Sequence, residues 1–156
     1  MSPFPTLVAC SHGTASPRAR ELMTALAATA ADLLPGTPVT EMFVDVQEPS
    51  LEDSLPAVTG PVVVVPVFLS SGYHLHHDIH TAVGRHPDAA VTAALGPDTR
   101  LAEVQVQRLL EVGAEPGDTV VMAASASSHP RANADVAAAF ALLRRSWRGA
   151  VSVGFV

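Results

Sequence analysis

The sequence predicts an α/β protein whose parallel sheet is flanked by helices on both faces. Short apolar runs alternate along the chain with Ala- and Leu-rich segments of helical length, which is the pattern of βαβ units. One run, PVVVVPVFLS at residues 61–70, is almost entirely apolar, as a central parallel strand buried on both faces should be. A length of 156 residues with 48% hydrophobic content allows one compact α/β domain, or one domain and a fragment of another.

Each element follows from a local pattern. Apolar or alternating runs predict strands, and segments with capping or stop signals predict helices. Pro17 lies near one helix start and Pro35 and Gly36 follow its end, while Ser50 is suited to cap the next helix. The predicted strands are 6–11, 39–46, 61–70, 90–95, 119–124 and 150–156. The predicted helices are 17–34, 50–58, a segment from about 76 to 86, 100–112 and 131–145.

The chain contains a weak internal repeat. TLVACSHGTASPRA, which begins at Thr6, shares five of fourteen residues with TVVMAASASSHPRA, which begins at Thr119. Phe43 and Val44 also match Phe155 and Val156 at nearly the same offset. Coincidence between two Ala-rich βα segments is one explanation. The other is a complete N-terminal lobe, residues 1–115, followed by the first β-α-β of a second homologous lobe, residues 116–156.

Composition excludes several classes of function. The net charge is −6 and no basic stripe occurs, so nucleic acid is not an expected partner. All nine basic residues are Arg, and a chain without Lys cannot form a P-loop, a pyridoxal Schiff base or a kinase site. No apolar run is long enough for a membrane helix, and no secretory signal is recognisable. The single cysteine, Cys10, fits a reducing cytoplasm.

Three predicted strands end in residues suited to bind a metal ion. His12 follows the first strand, Asp45 ends the second and His74 follows the third. Ligands of open parallel sheets bind beyond the carboxyl ends of the strands, so these side chains are predicted to converge. Two imidazoles and a carboxylate suit Co²⁺, Ni²⁺, Fe²⁺ or Zn²⁺. The alternative is that His12 caps the following helix and His74 is a loop residue.

Further residues around these strand ends have two interpretations each. Gly13 and Gly72 are interpreted as positions of close approach or positive φ. Hydroxyl groups nearby could hold substrate carboxylates, and Arg18 could pair with an anionic substrate or be simply exposed. Those hydroxyl residues are Thr14, Ser70 and Ser71.

The remaining histidines and one acidic residue are interpreted mainly as structural or exposed. His76 and His80 are spaced to share a helix face, which indicates either a metal-loading pair or a solvated surface. His86 and His129 precede prolines or lie in turn contexts, and Asp78 suits the first turn of a helix.

Three motifs together resemble the sirohydrochlorin chelatases of the CbiX/SirB type, over roughly residues 5–112. They are SHGT at residues 11–14, FVDVQEPSL at 43–51 and VVPVFLSSGYH at 64–74, the last followed by Asp78 and Ile79. The resemblance implies a class II, ATP-independent chelatase that inserts Co²⁺ or Fe²⁺, or Ni²⁺ in some relatives, into a tetrapyrrole toward cobalamin or sirohaem. It also implies either two lobes in one chain or a homodimer.

The resemblance assigns roles to individual residues. His12 and His74 match the metal-binding histidines and are the expected catalytic residues, and Asp45 stands where many members have Glu as a third ligand. His80 stands where members commonly have Pro, and the repeat places Ser125 opposite His12. The residues expected to contact the tetrapyrrole are Gly13, Thr14, Ser70, Ser71, Gly72 and Tyr73.

Two rival functions remain open from the residues. SHGT partly resembles the Arg-His-Gly signature of histidine phosphatases, but Ser11 occupies the position of the phosphate-clamping Arg. A non-catalytic metal carrier or storage module could use the histidine-rich segment from His74 to His80.

Overall fold

The computed structural model describes residues 4–70, 72, 75–125 and 127–156; for residues 75 and 76 it describes only the backbone. The chain divides into two compact units. Unit 1 comprises Met1–Phe68 and Tyr73–Ala94, and unit 2 comprises Leu69–Gly72 and Leu95–Val156. No helix among the described residues is long and apolar enough to cross a lipid bilayer.

Unit 1 is built around a four-stranded, wholly parallel sheet with strand order β2-β1-β3-β4. Its strands are β1 (Thr6–Ser11), β2 (Val39–Phe43), β3 (Val62–Pro66) and β4 (Ala89–Val91). Its helices are α1 (Pro17–Leu33), α2 (Leu51–Ser54) with a 3₁₀ turn (Leu55–Ala57), and a π-helical turn (Leu75–Ile79) leading into α3 (His80–Gly84). This confirms the predicted fold class, a parallel sheet flanked by helices.

One face of this sheet carries the main hydrophobic core. Alternate residues of the central strands, including Val8 and Val64, point to this face and are fully buried. They pack against side chains from α2, the π-helical turn and α3, such as Leu55 and Ile79, which are also fully buried. The connection from β1 to β2 runs in one direction across the sheet and the connection from β2 to β3 runs in the other. Because such crossovers are right-handed, α1 lies on the opposite face from α2 and α3. The loops that follow β1 and β3 therefore leave the carboxyl edge toward opposite faces.

Capping residues define the helix starts, and Ser50 is the one that the sequence predicted. Ser16 caps α1 through its hydroxyl, which accepts a hydrogen bond from the Ala19 amide, and Pro17 occupies the first helical turn. Ser50 caps α2 in the same way. Asp98 caps α4 in unit 2 by accepting from the Arg100 amide.

Several predicted strands are too long. β2 was expected to reach residue 46 but ends at Phe43, because the chain turns at Val46 with a positive φ of 60°. β3 was expected to reach residue 70 but ends at Pro66, which lacks an amide proton to extend the ladder toward a neighbour. β4 covers Ala89–Val91 rather than 90–95. β2 and β3 both give way to loops at the carboxyl edge of the sheet.

Unit 2 contains α4 (Thr99–Glu111), β5 (Val120–Ala124), α5 (Pro130–Ser146) and β6 (Val151–Phe155). β5 and β6 pair in parallel as a two-stranded sheet, and α4 packs against α5. The C-terminal end of α5 is held by Trp147, which is buried and donates from its indole Nε1 to the Asp118 carbonyl oxygen at 2.8 Å.

The two segments that the sequence predicts to be repeats have similar local features. α1 and α5 each have 17 residues and each has Pro in its first turn. The amide of Leu7 donates to the Pro38 carbonyl at 2.8 Å, and the amide of Val120 donates to the Ala150 carbonyl at 2.8 Å. Both segments form a parallel β-α-β unit, and their assignment to two homologous lobes stays a prediction.

Candidate active site

The loops that follow β1 and β2 are joined at the carboxyl edge of the unit 1 sheet. The Val44 amide donates to the Ser11 carbonyl at 2.9 Å, and the Asp45 amide donates to the His12 carbonyl at 3.0 Å. The first bond extends the parallel ladder one residue beyond β2, and the second joins the two loops directly. The structure thus places His12 and Asp45, two residues predicted for the site, on adjacent backbone positions at this edge.

Gly13 makes this close approach possible. Its φ is +89°, and a Cβ atom added there would overlap the carbonyl oxygen of Asp45. Only glycine combines that backbone conformation with that contact at low cost. The prediction of a special backbone position is confirmed at Gly13.

The prediction for Gly72 stays a prediction, because its chain neighbours Ser71 and Tyr73 lie outside the described residues. The Gly72 amide donates to the Ser70 carbonyl at 3.1 Å.

Two residues that the sequence analysis did not single out hold the loop after β1. The Gln47 side chain accepts a hydrogen bond from the Thr14 backbone amide through Oε1 at 2.7 Å. The backbone amide of Gln47 donates to the Asp45 carbonyl at 2.6 Å. On the other side, Arg20 donates from Nε to the Thr14 carbonyl at 2.8 Å. Gln47 lies within the motif FVDVQEPSL, which was the available signal for it. Arg20, rather than Arg18, is the α1 arginine bonded to this loop.

The Asp45 carboxylate is exposed but oriented. Its Oδ1 accepts a hydrogen bond from the Val46 amide at 2.8 Å. Val46 itself adopts a positive φ of 60°, which is uncommon for a β-branched residue. Backbone strain of this kind is concentrated at functional sites, and here it turns the chain sharply beside a predicted ligand.

A cavity of about 360 Å³ opens beside Asp45 in unit 1. Its lining includes three carboxylates and one guanidinium, so it favours a cation over an anion. Arg85 and Glu52 form an ion pair across part of it, but both side chains are largely exposed, so the pair contributes little to stability. The lining residues are Val44, Asp45, Leu51, Glu52, His77, Asp78, Thr81, Ala82 and Arg85.

The complete predicted metal set is not tested by the described residues. His74 lies outside them, as do Ser71 and Tyr73. Within the described part of the chain, no group of three or more His, Cys, Asp or Glu side chains is arranged to hold a metal ion. A set of His12, Asp45 and His74 therefore remains a prediction, supported by the adjacency of the first two.

The other predicted residues fall into distinct environments. Thr14 accepts a hydrogen bond from the Ser16 amide through Oγ1 at 3.2 Å, and Ser70 is half-buried in unit 2. His86 is structural, as expected: its ring lies 2.9 Å from the Val58 carbonyl through Nε2, and its Nδ1 accepts from the Asp88 amide. His80 is exposed, whereas the side chain of its proposed partner, His76, lies outside the described part of the chain.

Two buried polar groups lie on β1 directly before His12. Burial raises the pKa of the Cys10 thiol to about 12, so Cys10 is a neutral core residue and an unsuitable metal ligand. The Ser11 hydroxyl is also buried and has no hydrogen-bond partner in the structure as described.

Comparison with protein families assigns the chain. The CbiX family model matches residues 6–112. The chain belongs to the CbiX family. This match confirms the family resemblance carried by the three sequence motifs, and it covers β1 through α4. No curated protein matches the chain.

Solved structures confirm the fold of the family member. SirB from Bacillus subtilis with Fe³⁺ aligns with a TM-score of 0.81 and 21% identity, covering 97% of this chain and 65% of that one. The sirohydrochlorin chelatase SirB from B. subtilis subspecies spizizenii in complex with cobalt aligns with a TM-score of 0.79 and 20% identity, covering 97% and 67%. The chelatase-like multidomain protein DR2241 from Deinococcus radiodurans aligns with a TM-score of 0.72 and 23% identity, covering 97% and 38%. This CbiX chain thus spans about two thirds of the SirB chains and less of DR2241.

Proposed function

We propose that this CbiX chain inserts a divalent metal ion, Co²⁺ or Fe²⁺, into sirohydrochlorin without ATP. The observation that carries the proposal is the joining of the His12 and Asp45 loops by a 3.0 Å backbone hydrogen bond at the carboxyl edge of a parallel sheet. Family membership and the iron and cobalt bound in the two SirB structures support the same chemistry. The metal ion and the tetrapyrrole are both substrates, which fits cobalamin or sirohaem synthesis in the cytoplasm.

The reaction requires proton acceptors as well as metal ligands. Two pyrrole N–H protons leave the ring as one divalent cation enters it, so the charges and atoms balance without an oxidant or a nucleotide. A neutral imidazole at His12 can accept one proton, and the Asp45 carboxylate or water can relay another. Imidazole and carboxylate ligands can pass the ion to the ring nitrogens one bond at a time, with His74 as the proposed second imidazole.

Metal selectivity follows from the ligand types. Imidazole and carboxylate donors accept several first-row divalent ions, and selection in cells depends on metal availability as well as on affinity. The proposal therefore covers Co²⁺ and Fe²⁺, with Ni²⁺ as the third ion to assay.

The test is an insertion assay with sirohydrochlorin and each of Co²⁺, Fe²⁺ and Ni²⁺, followed by tetrapyrrole absorbance. His12→Ala and His74→Ala are expected to lower the rate at least tenfold, and Asp45→Asn to lower it less. Asp88→Asn is the matched control, because Asp88 is an exposed carboxylate outside the cavity lining. Equal rates for the wild type and both histidine variants would refute the assigned roles.

The metal-carrier alternative is favoured only by the histidine-rich segment. A carrier would bind Co²⁺ while leaving the sirohydrochlorin spectrum unchanged, whereas a chelatase would shift it. His80→Ala tests the carrier use of that segment. Loss of Co²⁺ binding in this variant supports a carrier function, whereas unchanged Co²⁺ binding and unchanged insertion identify His80 as a surface histidine.

A further inference from the structure

The side chain of Gln47 joins the loop after β1 to the loop after β2. The Thr14 backbone amide donates to Gln47 Oε1 at 2.7 Å, across 33 residues of chain, and both residues are half-buried. Thr14 lies two positions after His12, and Gln47 lies two positions after Asp45. In both loops, a residue predicted to bind the metal ion is therefore followed closely by a residue that ties the loops together.

This side-chain bond lies just beyond a backbone bond between the same loops. The Asp45 amide donates to the His12 carbonyl at 3.0 Å. The bond from Thr14 to Gln47 is the next connection along both loops, and it uses a side chain where the first uses backbone groups. The two loops are therefore held together at His12 and Asp45 and again two residues farther along each loop.

A tight turn directs Gln47 back toward this edge. The Gln47 backbone amide donates to the Asp45 carbonyl at 2.6 Å, and Val46 between them has a φ of 60°. A three-residue turn with this bond and a positive φ is the rare, strained form of the γ-turn. The same turn orients the Asp45 carboxylate, because its Oδ1 accepts from the Val46 amide at 2.8 Å. Such strain persists only where surrounding contacts hold it, and the Thr14–Gln47 bond is one of those contacts.

Gly13 limits the approach of the two loops in the opposite sense. A Cβ added at Gly13 would overlap the Asp45 carbonyl oxygen and would lie 3.2 Å from the Gln47 backbone nitrogen, so the loops are already in close contact. Contact at Gly13 prevents a closer approach, and the Thr14–Gln47 bond opposes separation. The separation of the loops is therefore fixed in both directions.

Gln47 is suited to hold the loops without binding the metal ion itself. Its Oε1 is occupied by the Thr14 amide, and its side chain is neutral, so Asp45 supplies the charge of this turn. Arg20 also bonds to Thr14, from Nε to the carbonyl oxygen at 2.8 Å. Arg20 lies on α1, which follows the same loop, so its bond does not link the two strand ends.

We propose that Gln47 is a positioning residue for metal insertion. By tying the His12 loop to the Asp45 turn, it holds the imidazole and the carboxylate at a separation from which both can bind one divalent cation. Alignment of two ligands before the ion arrives avoids the entropy cost of bringing them together on binding. The inference rests on the proposed chelatase function and adds to it a residue that acts through His12 and Asp45.

Hydrogen exchange on the whole 156-residue chain tests the tie itself. Gln47→Met keeps the side-chain length but removes the acceptor, whereas Gln47→Glu keeps an acceptor oxygen. A typical hydrogen bond is worth about a fivefold change in an equilibrium constant. The Thr14 amide should therefore exchange at least about fivefold faster in Gln47→Met, and as slowly as in the wild type in Gln47→Glu. Equally slow exchange at Thr14 in Gln47→Met and the wild type would overturn the proposal.

The amide of Val8, a fully buried residue of β1, reports whether each variant is folded. Gln47→Asn repeats the exchange test if Gln47→Met does not fold, because its amide is one methylene group too short to reach Thr14.

Cobalt binding tests the consequence of the tie. Titration of the chain with Co²⁺ alone should show about fivefold weaker binding to Gln47→Met than to the wild type. In the insertion assay, the same variant should raise the KM for Co²⁺ by about the same factor and leave the KM for sirohydrochlorin unchanged. A merely structural role would lower the amount of active enzyme, and thus the apparent kcat, without changing the KM for Co²⁺.

Gln107→Met is the matched control. Gln107 is exposed on α4, and its side chain bonds to Glu111 on the same helix, so the same substitution there should leave Co²⁺ binding and both KM values at wild-type levels. Equal weakening of Co²⁺ binding in Gln107→Met and Gln47→Met would overturn the proposal, because the effect would not depend on the tie.

The remaining outcomes separate this proposal from the proposed function. Wild-type Co²⁺ binding in folded Gln47→Met would overturn the positioning role, even in a chain that inserts metal normally. A wild-type chain that binds Co²⁺ but does not insert it would refute the chelatase function, and Thr14 exchange and Co²⁺ titration would still decide the role of Gln47. A wild-type chain that binds no Co²⁺ would overturn the positioning role together with the metal site.

Discussion

Substituting Gly13 by alanine tests how closely the two site loops must approach. Gly13 lies between His12 and Thr14 at a φ of +89°, and its α-carbon faces the Asp45 carbonyl oxygen. The added methyl group would overlap that oxygen, which is part of the backbone and cannot rotate away as a flexible side chain could. The substitution is therefore expected both to strain residue 13 and to push apart the loops that follow β1 and β2.

The magnitude has two parts. An alanine at positive φ costs about 1–2 kcal/mol of folding stability. Displacing the Asp45 carbonyl also disturbs the hydrogen bond that it accepts from the Gln47 amide, and a typical hydrogen bond contributes about 1 kcal/mol. Together these predict a loss of about 2–3 kcal/mol in the free energy of unfolding for Gly13→Ala.

Gly60→Ala isolates the first part. Gly60 belongs to the same unit and has a nearly equal φ of +84°, but no described atom beyond its chain neighbours lies within 4 Å of its added Cβ. It is expected to lose only about 1–2 kcal/mol. Urea unfolding of both variants and the wild type gives the comparison, and the insertion assay should show at least a tenfold loss for Gly13→Ala alone.

The reasoning is refuted by equal unfolding free energies for the two variants, because the overlap with Asp45 would then cost nothing. A normal insertion rate in folded Gly13→Ala would separately show that the spacing of the two loops is unimportant for catalysis.

Three further predictions concern groups outside the predicted metal site. Trp147→Phe keeps an aromatic ring but removes the donor to the Asp118 carbonyl and part of the buried indole, so urea unfolding should show a loss of at least about 1 kcal/mol, and no change would contradict that bond's contribution. Cys10, with its raised pKa of about 12, should resist an aromatic disulfide reagent at pH 8 until the chain is unfolded; rapid labelling of the native chain would contradict its burial. Hydrogen bonds from the Arg100 side chain and backbone amide, and to a lesser degree the Arg100 charge, lower the pKa of Asp98 to about 2, so their stabilisation is complete above the ordinary value of 3.8 and is lost as the pH falls through 2. Asp98→Asn should therefore reduce the dependence of unfolding on pH between 4 and 2, as measured by urea titration at each pH, and an unaltered dependence would refute the role of the charge.

The site could be predicted in part because its residues follow strand ends. His12 and Asp45 were placed together by one rule, that parallel strands present their carboxyl ends at a common edge, and the 3.0 Å bond between their backbones agrees with it. Gln47 and Arg20 were missed as loop-holding residues because their role depends on hydrogen bonds across 33 and six residues of chain.

The amino-acid sequence alone determined the strand and helix order and the family motifs, because these depend on local periodicity, capping and residue identity. Only the tertiary structure decided where β2 and β3 stop and which backbone groups join the His12 and Asp45 loops. Those properties arise from contacts between segments distant in the chain. Val8 and Val121 illustrate the difference, because both are valines in strands but only Val8 is buried.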